Sequence, residues 1–158
     1  MTERSDNAGE ARDPTRRSHY SIWPGESGID AWDVERLIAL SVDLPVEEVE
    51  VAKIGAIDID YWFDSSGDEP AVRGVVEHAH RISDVDLAYP IILGSDGRVM
   101  DGMHRVAKAI LEGHTTIKAV RFHKDPDPDY RNCKPDELPT SRASSEHAGF
   151  RKPTGRAM

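Results

Sequence analysis

Apolar residues recur along the chain in short runs, and their spacing alternates between helical and strand-like. In the first half, apolar positions three or four residues apart predict a helix over Asp30–Leu40. Valines that alternate with charged residues predict a strand over Val46–Ile54. The β-branched and aromatic run IDIDYWF predicts a second strand over Ile57–Phe63.

The next part of the pattern predicts a helix followed by a hairpin. The helix opens at Pro70, a residue that the first turn tolerates. It carries one apolar stripe, made of Val72, Val75, Val76, Ala79 and Ile82. YPIIL then predicts a short buried strand over Tyr89–Leu93, and the turn residues of GSDG at 94–97 lead into the return strand RVM at 98–100.

The last two predicted elements are a helix and a strand. The helix covers Met103–Glu112 and ends at Gly113, a residue type favoured just past helix C-termini. Its inward residues are predicted to be Met103, Val106, Ala107 and Ile110. Alternating apolar residues predict a strand over Thr115–Phe122. The complete order predicts an α/β (α+β) fold, in which helices flank a small mixed sheet.

Composition sets the boundaries of this domain. The chain of 158 residues suits one compact domain, predicted over residues 19–124. Residues 1–18 and 141–158 are polar and aperiodic and are predicted to be disordered tails, and 125–140 form an acidic, proline-rich extension.

No apolar run approaches the roughly 20 residues that span a membrane. The N-terminus lacks the apolar centre of a secretory signal, and a single cysteine, Cys133, excludes an intrachain disulfide. We therefore expect a cytoplasmic protein.

The charge balance bears on the class of partner. The net charge is −9, and residues 19–140 hold 24 acidic and 12 basic side chains. Proteins that bind duplex DNA neutralise several phosphates with clustered lysines and arginines. This segment instead repels DNA at long range, so duplex DNA is a disfavoured partner.

The pentapeptide DGMHR, Asp101–Arg105, carries the candidate chemistry. It stands at the predicted start of a helix, where backbone N–H groups lack intrahelical acceptors and the helix dipole is positive. Gly102 lets a phosphate approach the backbone of Gly102 and Met103 closely. Arg105 and His104 supply further donors. Lys108, one turn later, either reaches a terminal phosphate or is a solvated surface lysine.

Asp101 has three possible roles in such a site. A carboxylate beside a phosphate needs a cation between them, so Asp101 is a candidate Mg²⁺ ligand. Alternatively, it accepts the proton of an attacking hydroxyl group. The structural alternative is that Asp101 only caps the helix, while Arg105 and His104 are surface side chains.

The stretch PIILGSDGRVMDGMHRVAKAILEG, followed by TTIKAVRF, resembles the nucleotide-binding core of the ParB/sulfiredoxin-like superfamily from Pro90 to Phe122. Two branches fit poorly. Sulfiredoxins carry a catalytic cysteine where this chain has Met103, and a thioether cannot act as that nucleophile. Chromosome-partitioning ParB proteins have Gly-Glu-Arg-Arg at this place and a helix-turn-helix domain after it, whereas only 36 residues follow Phe122 here.

The free-serine-kinase-like branch is more similar, because its Asp-Gly-His-His-Arg differs from residues 101–105 at one position. This resemblance implies ATP, ADP or CTP as ligand, with Mg²⁺, and phosphoryl transfer to a small hydroxyl compound, or nucleotide hydrolysis. It implies Asp101 and His104 as catalytic residues. It also implies an upstream acid, for which the candidates are Glu48, Glu50, Asp58 and Asp60. The alternative function is a non-catalytic module that senses a nucleotide or phosphorylated metabolite and acts through a protein partner, and a DNA-associated adaptor ranks last.

Two other patterns carry less weight. The aromatic run YWFD, Tyr61–Asp64, has the chemistry to stack on a nucleobase, although such residues more often belong to a core or to the rim of a pocket. His78 and His80 lie two residues apart on a predicted helix and therefore point in different directions, which makes them a poor metal-binding pair.

Overall fold

A computed structural model describes residues 20–63 and 70–139. Their contacts divide into two units, one formed by 41–63 and 70–125 and the other by 20–40 and 126–139. Within these described ranges, three α-helices and two sheets confirm the predicted α+β class. The described part of the chain contains no helix with the length and apolar character needed to cross a membrane. In chain order the elements are β1 (Tyr20–Pro24), β2 (Ile29–Asp33), α1 (Val34–Ser41), β3 (Glu47–Glu50), α2 (Val72–Asp84), β4 (Ile91–Leu93), β5 (Val99–Asp101), α3 (Met103–Leu111), β6 (Thr116–Arg121) and β7 (Tyr130–Cys133).

The larger unit is built on a mixed sheet with the strand order β3-β6-β4-β5. β4 pairs in parallel with β6, and the other two pairings are antiparallel. The predicted hairpin is confirmed: the Gly97 amide donates to the Gly94 carbonyl at 2.9 Å, and β5 returns beside β4. Helix α3 lies in the connection between the parallel strands β4 and β6, which also contains β5, and a parallel pairing requires such a long crossover.

The core of this unit lies between the sheet and α3. Ile91, Val99 and Val106 are fully buried. Met103 and Ala109 join Val106 on the inner face of α3, whereas Ile110, predicted to be buried, is 48% exposed. The buried residues of α3 follow a spacing of three, at 103, 106 and 109. The predicted inner face included 107 and 110 and was therefore rotated slightly away from the true one. Gly113, at φ +80°, closes the helix as predicted.

Helix α2 turns a polar face inward. His78 and Arg81 are its buried residues, while Val72, Val75 and Val76 of the predicted apolar stripe are exposed. The two helices α2 and α3 run in the same direction, because His104 contacts His78 and Lys108 contacts the carbonyls of residues 83 and 85 further along α2. The orientation of α2 therefore places His78 against the start of α3.

The segment before α2 differs from the prediction. The strand expected over Val46–Ile54 ends at Glu50, and no strand forms over Ile57–Phe63. Two 3₁₀ turns, Val51–Lys53 and Gly55–Asp58, take their place. Val51 and Ile54 are both buried at a spacing of three residues, which matches the period of a 3₁₀ helix and not that of a strand.

The smaller unit contains an antiparallel sheet in the order β1-β2-β7. The helix predicted over Asp30–Leu40 begins only at Val34, because residues 29–33 form the central strand of this sheet. Asp33 ends that strand and caps α1, since its Oδ1 accepts the amide of Glu35 at 2.8 Å. Strand β7 lies in the predicted extension, so 126–139 share a sheet with residues 20–40. The predicted tails, 1–18 and 141–158, lie outside the described residues.

Candidate active site

The end of strand β5 and the start of helix α3 form what we call the helix mouth, residues Asp101–Arg105. Asp101 is the last residue of β5, where it pairs with Ile92 of β4, and α3 begins at Met103. The capping position is therefore held by Gly102 and not by Asp101. The structural alternative, in which Asp101 caps the helix, is wrong, because Asp101 belongs to strand β5 and stands one residue before the capping position.

Position 102 must be a glycine, because of its backbone conformation and because of the atoms that surround it. Its φ of +109° lies in the left-handed region, which residues with a side chain rarely adopt. A Cβ atom at this position would lie 2.7 Å from Cγ2 of Ile91 and 3.1 Å from Nη2 of Arg105. The carbonyl of Gly102 accepts the first helical bonds, from the amides of Arg105 and Val106. The chain thus passes from strand to helix through a backbone that only glycine fits.

Arg105 and Asp101 form an ion pair across the helix mouth. Nη2 of Arg105 donates to Oδ2 of Asp101 at 3.0 Å, and the two side chains are 16% and 20% exposed. Tyr61 lies close by, since its hydroxyl donates to the carbonyl of Val99 at 3.2 Å. Burial raises the pKa of Tyr61 above its ordinary value, and the negative charge of Asp101 raises it further. The carboxylate of Asp101 is therefore partly desolvated and is paired with the guanidinium of Arg105.

His104 lies in a stack of aromatic rings. Its Nε2 is 2.9 Å from Nδ1 of His78, within hydrogen-bond distance. The indole of Trp62 stacks on both imidazoles, with ring centroids 4.4 Å from His78 and 4.9 Å from His104. Phe63 adds an edge-to-face contact with His78 at 5.3 Å. We call His78 and His104 the imidazole pair.

The other predicted phosphate-binding residues lie in different settings. Met103 is 7% exposed and belongs to the core, so only its backbone is at the helix mouth. Lys108 donates to the carbonyls of Ser83 and Val85, at 3.0 and 2.7 Å, and so caps the C-terminal end of α2. The ammonium group of Lys108 therefore has a structural function at the far end of α2.

Two of the four candidate upstream acids have local partners, and the other two are exposed. Glu50 forms an ion pair with Lys53 at 2.8 Å, and Oδ1 of Asp60 accepts the amide of Phe63 at 2.9 Å. Glu48 and Asp58 are exposed. Within residues 20–63 and 70–139 no group of three or more histidine, cysteine, aspartate or glutamate side chains is arranged to hold a metal ion. A role for Asp101 as an Mg²⁺ ligand stays a prediction.

His78 and Trp62 are the site residues that sequence reasoning missed. The sequence pairs His78 only with His80, which is exposed in the structure. The run YWFD is predicted to stack on a nucleobase or to belong to a core or pocket rim; its Trp62 stacks on two imidazoles, and its Asp64 lies outside the described residues. The parallel packing of α2 on α3 brings His78 to His104, and Trp62, which precedes α2, stacks on both rings. No spacing in the sequence encodes these contacts.

Comparison of the chain with models of protein families, with curated proteins and with solved structures finds no match. The resemblance of Pro90–Phe122 to the ParB/sulfiredoxin-like superfamily therefore rests on the residues themselves and stays a prediction.

Proposed function

We propose that the helix mouth binds the phosphates of a nucleotide, ATP, ADP or CTP, and that the protein transfers a phosphoryl group to a small hydroxyl compound or hydrolyses the nucleotide. Gly102 carries this proposal. Gly102, as the capping residue, offers no side-chain hydrogen bond to the first amides of α3, so these N–H groups keep their capacity to bind a phosphate. The first-turn N–H groups and the helix dipole both favour an anion there.

Arg105 supplies the second part of the proposed phosphate site. Its guanidinium has five N–H donors. Among the described residues, its hydrogen bond goes from Nη2 to Asp101. The remaining donors suit two oxygens of one phosphate. The positive charge also lies beside Asp101, and so reduces the repulsion between that carboxylate and a bound phosphate. Mg²⁺ bound with the nucleotide would reduce this repulsion further.

The proposed catalytic roles belong to Asp101 and His104. Asp101 accepts the proton of the attacking hydroxyl or holds Mg²⁺, and His104 donates a hydrogen bond to the transferred phosphoryl group. Partial burial favours such proton chemistry, because solvent competes less for the carboxylate. The ion pair with Arg105 has the opposite effect, since it stabilises the ionised form of Asp101. That pair favours the second candidate function, a non-catalytic module that senses nucleotides through the same site and acts through a protein partner.

Calorimetric titration with ATP, ADP and CTP, each with and without Mg²⁺, tests the phosphate site. We expect Arg105→Ala to weaken nucleotide binding about tenfold or more, because it removes charge-assisted hydrogen bonds. The matched control is Arg131→Ala, which removes the same charge from an exposed position on β7. Equal affinity in the wild type and Arg105→Ala, or no binding of any nucleotide, would contradict the proposal.

Turnover of the bound nucleotide separates the two candidate functions. The substitution Asp101→Asn keeps an oxygen that accepts from Arg105 but removes the carboxylate. For an enzyme we expect phosphate release or transfer to fall about a hundredfold, with nucleotide affinity unchanged within a few fold. Binding without turnover in the wild type would instead favour the sensing module.

A further inference from the structure

The imidazole pair joins the helix mouth to a residue of α2 that the proposed phosphate site does not include. His78 is 4% exposed, and its Nδ1 lies 2.9 Å from Nε2 of His104. The two rings are inclined by only 19°, and both stack on Trp62. A buried histidine in hydrogen-bond contact with a first-turn histidine is placed to act through that neighbour.

The hydrogen bond limits the protonation of both rings. In a neutral pair one hydrogen lies between the two nitrogens, so one nitrogen carries the N–H and the other accepts it. If His78 donates from Nδ1, then His104 accepts at Nε2 and carries its own hydrogen at Nδ1. If His104 donates from Nε2, its Nδ1 has only a lone pair, which repels a phosphate oxygen.

Geometry favours a role for Nδ1 of His104 at the helix mouth. Side chains of a helix lean toward its N-terminus, so the imidazole of His104 leans toward the first amides of α3. Its Nε2 is held by His78, and Trp62 covers the ring faces at near-parallel angles of 20° and 14°. Rotation of the His104 ring would break the hydrogen bond and the stacking together.

We propose that His78 is a positioning residue for His104. The Nδ1–H group of His78 donates to Nε2 of His104, and this bond keeps the hydrogen of His104 on Nδ1, where it donates to a phosphate oxygen. The part that concerns phosphate rests on the proposed function. The choice of donor rests on it too, because only the form with the hydrogen on Nδ1 donates to a phosphate, but the tautomer is measured in the protein without a ligand and so has a readout of its own.

The first test is the tautomer of His104 in the ligand-free, full-length protein at pH 8. Long-range ¹H–¹⁵N correlation spectra distinguish a protonated from an unprotonated ring nitrogen, and His104→Gln assigns the signals. We expect His104 to carry its hydrogen on Nδ1. His78→Asn places an amide N–H where Nδ1 stood and should preserve that form. His78→Leu removes the donor and should shift His104 toward the Nε2–H form that imidazoles in water prefer.

The second test is the affinity for ADP of the same two variants. We expect His78→Asn to bind ADP within about twofold of the wild type, and His78→Leu to bind about tenfold more weakly, the size of effect of one lost hydrogen bond. A merely structural role of His78 would not distinguish the variants in this way, because Asn fills the buried space less well than Leu. Thermal unfolding of each variant identifies any loss that comes from folding.

The outcomes separate this inference from the proposed function. An Nε2–H form of His104 in the wild type, or the same tautomer in the Asn and Leu variants, overturns the role of His78. A wild type that binds none of ATP, ADP and CTP overturns the phosphate part and the proposed function. The tautomer spectra then decide the hydrogen assignment alone.

Discussion

Gly102 is the residue where the backbone demands of the fold and of the candidate site coincide. The turn from β5 into α3 requires a φ of +109°, and Ile91 of the neighbouring strand occupies the space that a Cβ would need. As the capping residue, Gly102 also offers no side-chain acceptor to the first amides of α3. One position therefore serves the fold and the candidate site, and a substitution there should affect both.

We expect Gly102→Ala to lower the free energy of unfolding by about 2 to 5 kcal/mol. Positive φ costs an L-residue about 1 to 2 kcal/mol, and the contact with Ile91 adds an overpacking cost of about 1 to 3 kcal/mol. Gly113→Ala is the matched control at the other end of the helix. It has φ +80° and nothing within 4 Å of the added Cβ, so it should cost only the backbone strain. Urea denaturation measures both, and equal losses would show that Ile91 gives way.

At this scale the sequence predicted the helix mouth because its features are local. A glycine directly before a helix and an arginine in the first turn are recognisable from spacing alone, and the pairing of Arg105 with Asp101 four residues before is compatible with that spacing. The position of His78 was not predictable, because it depends on how two helices separated by a hairpin pack together. Lys108 shows the limit of such spacing: its position one turn beyond His104 predicts a phosphate ligand, whereas in the structure its ammonium group donates to two carbonyls at the end of α2.

Among the elements, α2 and α3 are linked by Lys108. Its ammonium donates to two carbonyls at the end of α2, Ser83 and Val85, where the last carbonyls of a helix lack intrahelical donors and the dipole is negative. A cation from the neighbouring helix thus stabilises that end. This contact also holds the two helices in the register that brings His78 to His104.

We expect Lys108→Met to lower the free energy of unfolding by about 1 kcal/mol, since two partly exposed charge-assisted hydrogen bonds are lost while the aliphatic stem is kept. Affinity for ADP should change less than twofold. Lys118→Met, at an exposed position of β6, is the control and should stay within about 0.5 kcal/mol of the wild type. A tenfold loss of ADP affinity with unchanged stability would instead show that Lys108 meets the phosphates.

The elements that the sequence predicted are those with strong local patterns. Helix α3, the hairpin at Gly94–Gly97 and β6 each match a periodicity or a turn composition. The sequence did not predict the sheet of β1, β2 and β7, because β2 pairs with residues about 100 positions later in the chain. The strand predicted over Ile57–Phe63 does not form. β-Branched and aromatic residues favour a strand only where a partner strand is available.

The charge of the whole molecule bears on its partners. The net charge is −9, and the acids outnumber the bases two to one in residues 19–140. Among the described residues, several of the arginines also form ion pairs, such as Arg98 with Asp125 and Arg121 with Glu47. These pairs leave fewer free cations for a polyanion, so the DNA-associated adaptor ranks below the nucleotide-binding functions.

We expect no measurable binding of a labelled DNA duplex at about 150 mM salt, because long-range repulsion opposes the approach of a polyanion to an acidic protein. Fluorescence anisotropy at several salt concentrations measures this directly. A micromolar or tighter dissociation constant that weakens steeply as salt rises would reveal a local basic surface and would restore the DNA-associated function.

The parallel course of α2 and α3 has an electrostatic consequence for a small anion. Each helix has a partial positive charge of about half an elementary charge at its N-terminus, and parallel helices turn these ends the same way. Helix α2 begins six residues before His78, whereas α3 begins one residue before His104, so α2 extends roughly 7 Å further at about 1.5 Å per residue. That offset exceeds the single turn over which a helix dipole acts, so a phosphate at the helix mouth is attracted by the positive end of α3 and hardly by that of α2, while the acidic surface beyond a screening length of about 8 Å is largely masked by salt.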